Sequence, residues 1–152
     1  LNISLPNFHI LLVEDEPADA HLVKIALHEN HLLIDLQHVV DGREALEYLQ
    51  HQGPRFADTQ LPDLILLDLN MPRMDGREFL AVLKKDPDLC KIPVVVLTTS
   101  EVERDILSSY QLGAAGYITK PVDVTQFMAA MSNLGHYWFA LVRLPENSKL
   151  GE

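Results

Sequence analysis

Positive charge is in short supply in this chain: 12 lysines and arginines stand against 22 aspartates and glutamates, a net charge of −10. Non-specific nucleic-acid binding depends on basic side chains that neutralise phosphates. With no basic stripe and no interleaved stacking aromatics, no nucleic-acid partner is expected. Cysteine occurs once, at Cys90, which excludes an internal disulfide and fits a reducing compartment. Set before Lys91-Ile92-Pro93 at the start of a strand-like run, that thiol reads as a small hydrophobe rather than a nucleophile. No apolar run nears the roughly 18 residues that a membrane helix needs, and no secretory signal is visible. A cytoplasmic protein without a membrane partner is therefore expected. Phosphate-cradling loops are missing too: neither GxGxxG nor GxxxxGK followed by Ser or Thr occurs, which argues against nucleotide binding. Gly42, Gly76, Gly113 and Gly116 read as turn or close-packing glycines. His9, His21, His28, His31, His38, His51 and His136 show no metal-ligand spacing, and a zinc site is not expected.

What the chain does have is apolar content, 47% of 152 residues, enough to close one core with little left for a second. Strand-like runs alternate with helical stretches, the pattern of an α/β fold with a parallel sheet covered on both faces. The first run, Ile10 to Val13, precedes a helix that starts at Pro17, where the missing N–H does little harm. That helix reaches Glu29, with Leu22 and Ala26, and Val23 and Leu27, at helical spacing. A second run covers Leu33 to Val40. Asp41 with Glu44 makes a capping-box signature for a second helix, whose buried face includes Leu46 and Leu49. His51 to Pro62, with Gly53, Pro54, Asp58 and Thr59, reads as a long loop. Leu64 to Leu67 is apolar on both faces, as a central strand should be. A third helix is predicted over Gly76 to Lys85 and a fourth strand over Ile92 to Leu97. Ser100 with Glu103 caps a fourth helix running to Leu112, and a shorter fifth strand covers Ala114 to Thr119. The fifth helix starts near Asp123, with Val124, Phe127, Met128, Met131 and Leu134 on its core stripe.

Acidic residues sit where two of these strands stop: Glu14-Asp15 after the first, Asp68 at the end of the third. If those strands are adjacent and parallel, three carboxylates meet at the sheet edge where open parallel sheets bind ligands. Carboxylates that close repel and raise one another's pKa unless a cation lies among them. A hard divalent ion such as Mg2+ suits such oxygen donors, and Mn2+ could substitute. Asp15 and Asp68 are expected as direct ligands, Glu14 from the rim through water, and Asn70 through its backbone carbonyl. Asp68 is the candidate nucleophile, because an aspartate can form an acyl phosphate. A transferring phosphoryl group needs its equatorial oxygens neutralised. Lys120, which closes the fifth strand before Pro121, can supply a cation, and Thr98, which closes the fourth, a hydroxyl. A surface lysine and a turn-marking threonine are the plainer readings of the two. Thr99 and Ser100 compete for the hydroxyl role, although Ser100 is better explained as a helix cap. Tyr117 reads either as a core-facing ring or as a rotating surface ring.

Val13-Glu14-Asp15-Glu16, the run Leu67-Asp68-Leu69-Asn70-Met71-Pro72-Arg73-Met74-Asp75-Gly76, the strand-ending Thr98, and Gly116-Tyr117-Ile118-Thr119-Lys120-Pro121 resemble, together, the receiver domain of two-component response regulators. The resemblance covers about residues 7–135. It implies a flavodoxin-like, doubly wound, five-stranded parallel sheet of order 2-1-3-4-5, which would make strands one and three neighbours. It also implies that Asp68 is the phosphoacceptor, Glu14 and Asp15 the acidic pair, Thr98 the switch hydroxyl, Tyr117 the switch aromatic, and Lys120 the lysine with a cis bond to Pro121. Glu14 stands where many members have aspartate. Thr99 is bulkier than the small residue often found there, implying restricted access and a longer-lived phosphoryl state. The long loop before Pro62 and the tail Tyr137-Trp138-Phe139 through Leu144-Pro145 are similar to stand-alone regulators paired with cyanobacterial and bacterial phytochrome histidine kinases. Such proteins imply a homodimer through the face of the fourth helix, fifth strand and fifth helix. Residues 136–152, with Trp138, Phe139, Leu141 and Val142, are then a C-terminal extension packed on the domain or in a dimer interface.

The expected function is that of a single-domain response regulator. It takes a phosphoryl group from a kinase phosphohistidine onto Asp68 with Mg2+, hydrolyses it in its own site, and signals through altered protein contacts. That is self-limited chemistry, not conventional multiple turnover. A receiver-fold scaffold without phosphoryl turnover would be expected to have lost Asp68 or Lys120. An aspartyl-phosphate phosphatase would need an acid where Asn70 stands, and a flavin-binding protein of similar topology would need a phosphate loop.

Overall fold

Two strands in which every residue is buried run through the middle of the molecule, β3 (Leu64–Asp68) and β4 (Val94–Thr98). The computed structural model describes residues 8–28, 34–69, 71, 74, 76–99, 102–103, 113–123, 125–127 and 129. Around the two central strands lie β1 (Phe8–Val13), α1 (Pro17–His28), β2 (Ile34–Val39), α2 (Gly42–Leu49), α3 (Gly76–Lys85) and β5 (Gly116–Thr119). All pairings are parallel and the strand order is β2-β1-β3-β4-β5, the order implied by the sequence resemblance.

Side chains alternate across a strand, so each β-strand feeds two apolar layers. Leu11, Val13, Ile65, Leu67, Val94 and Val96 pack with Ala45, Tyr48 and Leu49 of α2 and Phe79, Leu80 and Leu83 of α3. On the other face, Ile10, Leu12, Leu64, Leu66, Val95 and Leu97 pack with Ala20, Val23 and Leu27 of α1 and with Phe127. Burying each large side chain is worth about 1.5–3 kcal/mol, so the twice-covered central strands hold the sheet edge rigid enough to carry a site.

Several local expectations shift. The buried stripe of α1 is Ala20, Val23 and Leu27, while Leu22 is 45% exposed; the Leu22–Ala26 spacing is helical but faces away from the sheet. The α2 cap forms, with the Glu44 amide donating to Asp41 Oδ1 at 2.8 Å, but the Glu44 carboxylate accepts from the Val40 amide at 3.2 Å, one residue earlier than in a capping box. The long loop contains a 3-10 turn, Pro54–Phe56. Buried Phe56 anchors it, edge-on to Tyr48 with ring centroids 5.3 Å apart, and the Arg55 guanidinium lies 4.7 Å above the Phe56 ring. β4 begins at Val94 rather than Ile92, because the Ile92 amide donates to Leu89 O at 3.1 Å and Pro93 has no N–H. β5 begins at Gly116, after the Ala115 amide has donated to Val94 O at 2.7 Å.

Helix α3 starts pressed against the end of β3. The Gly76 amide donates to Leu69 O at 2.9 Å, and a Cβ on Gly76 would stand 2.6 Å from Leu69 Cα and 2.7 Å from Asp68 O. Of the fourth helix, Val102 and Glu103 are described as helical; of the fifth, residues 125–127 and 129. Ser100, Val124, Met128, Met131, Leu134, the extension 136–152 and most of the expected dimer face lie outside the described residues. Among the described residues no helix is long and apolar enough to cross a membrane.

Candidate functional site

Register decides which acids meet. Val13 pairs with Leu67, so Glu14, one step past Val13, stands beside Asp68, one step past Leu67. Asp68 pairs with Leu97 and Leu97 with Ile118, so Lys120, two steps past Ile118, has the same phase. Parallel strands end at a common edge, and the period of two turns all three side chains toward the α1 face. There Lys120 Nζ lies 2.6 Å from Glu14 Oε1 and 3.3 Å from Asp68 Oδ2. Asp19, in the first turn of α1, brings a further carboxylate, with Oδ2 at 3.1 Å from Nζ. One oxygen from each of Glu14, Asp15 and Asp68 falls within 4.8 Å of the others.

Burial moves Glu14 away from its expected place in the acidic pair. Glu14, expected at the rim, is 0% exposed, whereas Asp15 is the exposed member. Glu14 still follows the strand: its amide donates to Val39 O at 3.0 Å, and His38 Nε2 lies 2.7 Å from its carbonyl oxygen. Asp15 belongs to the turn that leads into α1. Burial pushes the Glu14 carboxyl up to about 7; the hydrogen bond and charge of Asp68 add to this, and Lys120 only partly offsets it. Burial disfavours the Lys120 ammonium, yet the Glu14 hydrogen bond and the Asp68 and Glu14 charges outweigh it and hold the group well above the usual lysine range.

Lys120 therefore only partly offsets what burial and Asp68 do to Glu14, which tends to keep a proton. A divalent cation would remove that need, and an all-oxygen donor set matches hard ions of the Mg2+ and Mn2+ kind. The cluster Glu14, Asp15 and Asp68 is thus capable of coordinating a divalent metal ion. Asn70, the expected carbonyl donor, lies outside the described residues.

Thr98 ends β4 at 1% exposure, and its carbonyl accepts from the Lys120 amide at 2.6 Å, tying the ends of β4 and β5 together. Tyr117 is half-buried, opposite Val96, and packs against the layer formed with α2 and α3; burial raises its phenol pKa. Thr99 is exposed, its hydroxyl donating to Glu103 Oε2 at 3.1 Å. The Lys120–Pro121 bond is cis. Two neighbours escaped the sequence reading, Asp19 and His38. Asp19 lies in the first turn of α1, and its contact with Lys120 spans 101 residues of sequence, which no local spacing signals.

A model of the response regulator receiver domain family matches residues 10–132 of this chain. Response regulator Rcp1 of Synechocystis sp. is 43% identical over 136 residues, 90% of this chain and 92% of Rcp1. The solved bacteriophytochrome response regulator AtBRR superposes with a TM-score of 0.79 at 40% identity, covering 86% of this chain and 94% of AtBRR. The phosphorylated cyanobacterial phytochrome response regulator RcpA gives a TM-score of 0.71 at 44% identity over 88% of this chain and 95% of RcpA. The Mn2+-bound form of Rcp1 gives 0.69 at 43% identity, covering 90% and 96% respectively.

Proposed function

We propose that this chain, which belongs to the response regulator receiver family and is closely related to phytochrome-associated response regulators, accepts a phosphoryl group on Asp68 from a histidine kinase of the phytochrome class. The observation that carries the reading is the Lys120 ammonium 3.3 Å from Asp68 Oδ2 within the acidic cluster at one sheet edge. In the transfer, an Asp68 carboxylate oxygen bonds to phosphorus as the P–N bond to the donor imidazole breaks and the imidazole leaves. A Mg2+ held by Glu14, Asp15, Asp68 and the Asn70 carbonyl would supply positive charge to the phosphoryl oxygens. The Lys120 ammonium, 3.3 Å from Asp68, turns to donate to a phosphoryl oxygen, and Thr98, already at the buried end of β4, donates its hydroxyl to another. Tyr117 then follows Thr98 inward and biases the face of β5 and the fourth helix. Hydrolysis restores the carboxylate: water oxygen bonds to phosphorus, the P–O bond to Asp68 breaks, and inorganic phosphate leaves.

Signalling through altered protein contacts, including a homodimer formed by the fourth helix, fifth strand and fifth helix, completes the reading. It is supported by the relationship to phytochrome regulators and by the apolar extension 136–152. The test mixes an autophosphorylated phytochrome-type kinase and a kinase of another sensory class with wild-type and Asp68→Asn protein, with Mg2+ or chelator, and follows label and sedimentation together. Label should pass to the wild type alone, need Mg2+ and come faster from the phytochrome-type kinase. Stable label on Asp68→Asn at the same stoichiometry would overturn the acceptor assignment. Equal rates from both kinases would remove the phytochrome partner, and a monomer at every concentration with and without label would remove the dimer.

A further inference from the structure

Lys120 meets more carboxylates than phosphoryl transfer calls for. An ammonium has three protons to donate and no acceptor, and here three acids surround it: Glu14 at 2.6 Å, Asp19 at 3.1 Å and Asp68 at 3.3 Å. Asp19 differs from the other two in origin and environment. It comes from the first turn of α1 rather than from a strand end, and it stands apart from the carboxylates grouped as metal ligands. Its side chain is 37% exposed, against 0% for Glu14 and 6% for Asp68, yet it lies nearer Nζ than Asp68 does.

A phosphoryl group on Asp68 replaces a monoanion with one carrying close to two charges, and the ammonium is drawn toward it. Glu14 has no access to water and cannot hydrate if it loses its partner. Asp19 can, so it is the acid whose contact yields at least cost.

We propose that Asp19 is a positioning residue that competes with a phosphoryl group on Asp68 for the Lys120 ammonium, and so sets how tightly the site holds that group. The inference rests on Asp68 being the acceptor. Partly exposed ion pairs are weak, so removing the competitor tightens binding of a phosphoryl mimic by about two- to fivefold.

Beryllium fluoride with Mg2+ serves as the mimic, binding a carboxylate oxygen reversibly, so that its equilibrium titration with the full chain, read by 19F NMR, is free of transfer rates. Asp19→Asn should bind it about two- to fivefold more tightly than wild type, Asp19→Glu should return to the wild-type value, and in a Lys120→Met background Asp19→Asn should change nothing. Unchanged or weaker binding by Asp19→Asn overturns the proposal, as does tightening that persists in full without Lys120, which would be simple repulsion of the anion. If Lys120→Met takes up no mimic, the Lys120 Nζ resonance decides: it must move between wild type and Asp19→Asn before any mimic is added, and an unmoved resonance overturns the competition. Failure of the wild type to bind in a manner abolished by Asp68→Asn would instead sink the acceptor reading, and this inference with it; wild-type binding with an indifferent Asp19→Asn sinks the inference alone.

Discussion

A carboxylate without exposed surface is costly to ionise, and Glu14 is such a group: burial, with Asp68 beside it, lifts its pKa from 4.5 to about 7. Between those values the folded chain keeps a proton that the unfolded chain releases. This group's contribution to stability is therefore fully present below the unfolded pKa and is lost as pH rises through the folded one. In chelator, the urea midpoint of the wild type relative to Glu14→Gln should fall from pH 5 to pH 8; parallel pH profiles would show that Glu14 does not carry the titration. Residue types and strand ends were enough to single out Glu14, Asp15, Asp68 and Lys120. Which member of the acidic pair is buried was not legible, because it depends on the pairing of Val13 with Leu67 and hence on the strand order. Asp19 was missed for a related reason. It reaches Lys120 across 101 residues of sequence, and nothing local points to the contact.

Elements were legible where one face decides and less so where distant contacts do. The all-buried runs of β3 and β4 announce central strands, and Asp41 announces the start of α2. The turn Pro54–Phe56 did not announce itself, since its buried Phe56 packs on the Tyr48 ring of α2, a contact that the loop's own composition does not signal. The start of α3 shows the same dependence in a form that can be tested. Glycine is a poor helix residue, yet Gly76 is tolerated at the first helical position because backbone atoms of Leu69 and Asp68 occupy the space of a Cβ. Alanine there improves helix propensity and must still lose, because two of the atoms it meets, Leu69 Cα and Asp68 O, are main chain and cannot rotate away, even where the Leu69 side chain can. Gly76→Ala should lower stability by about 1–3 kcal/mol, seen as a reduced urea midpoint at unchanged slope. A gain in stability would mean that propensity outweighs the close approach.

At the scale of the whole molecule, a parallel sheet delivers every strand's C-terminal end to one edge, and this chain concentrates acid there on top of a net charge of −10. The strand order that makes β1 and β3 neighbours came from family resemblance rather than hydropathy, because alternating apolar runs fit several sheet orders equally well. An acidic surface gains stability from any salt through screening, whereas a site that binds metal in the native state alone gains RT ln(1 + [L]/Kd), about 2.7 kcal/mol at a hundredfold excess over Kd. The two effects separate at matched ionic strength. MgCl2 should raise Tm well beyond NaCl, and Asp15→Asn should remove the excess while leaving the screening part. Asp15 is the acid of the cluster to change because it is exposed, so its loss leaves the Glu14–Lys120–Asp68 contacts and the core intact. Equal shifts with the two salts, or an excess that survives Asp15→Asn, would mean that the carboxylates at this edge gather cations only as a charged surface does.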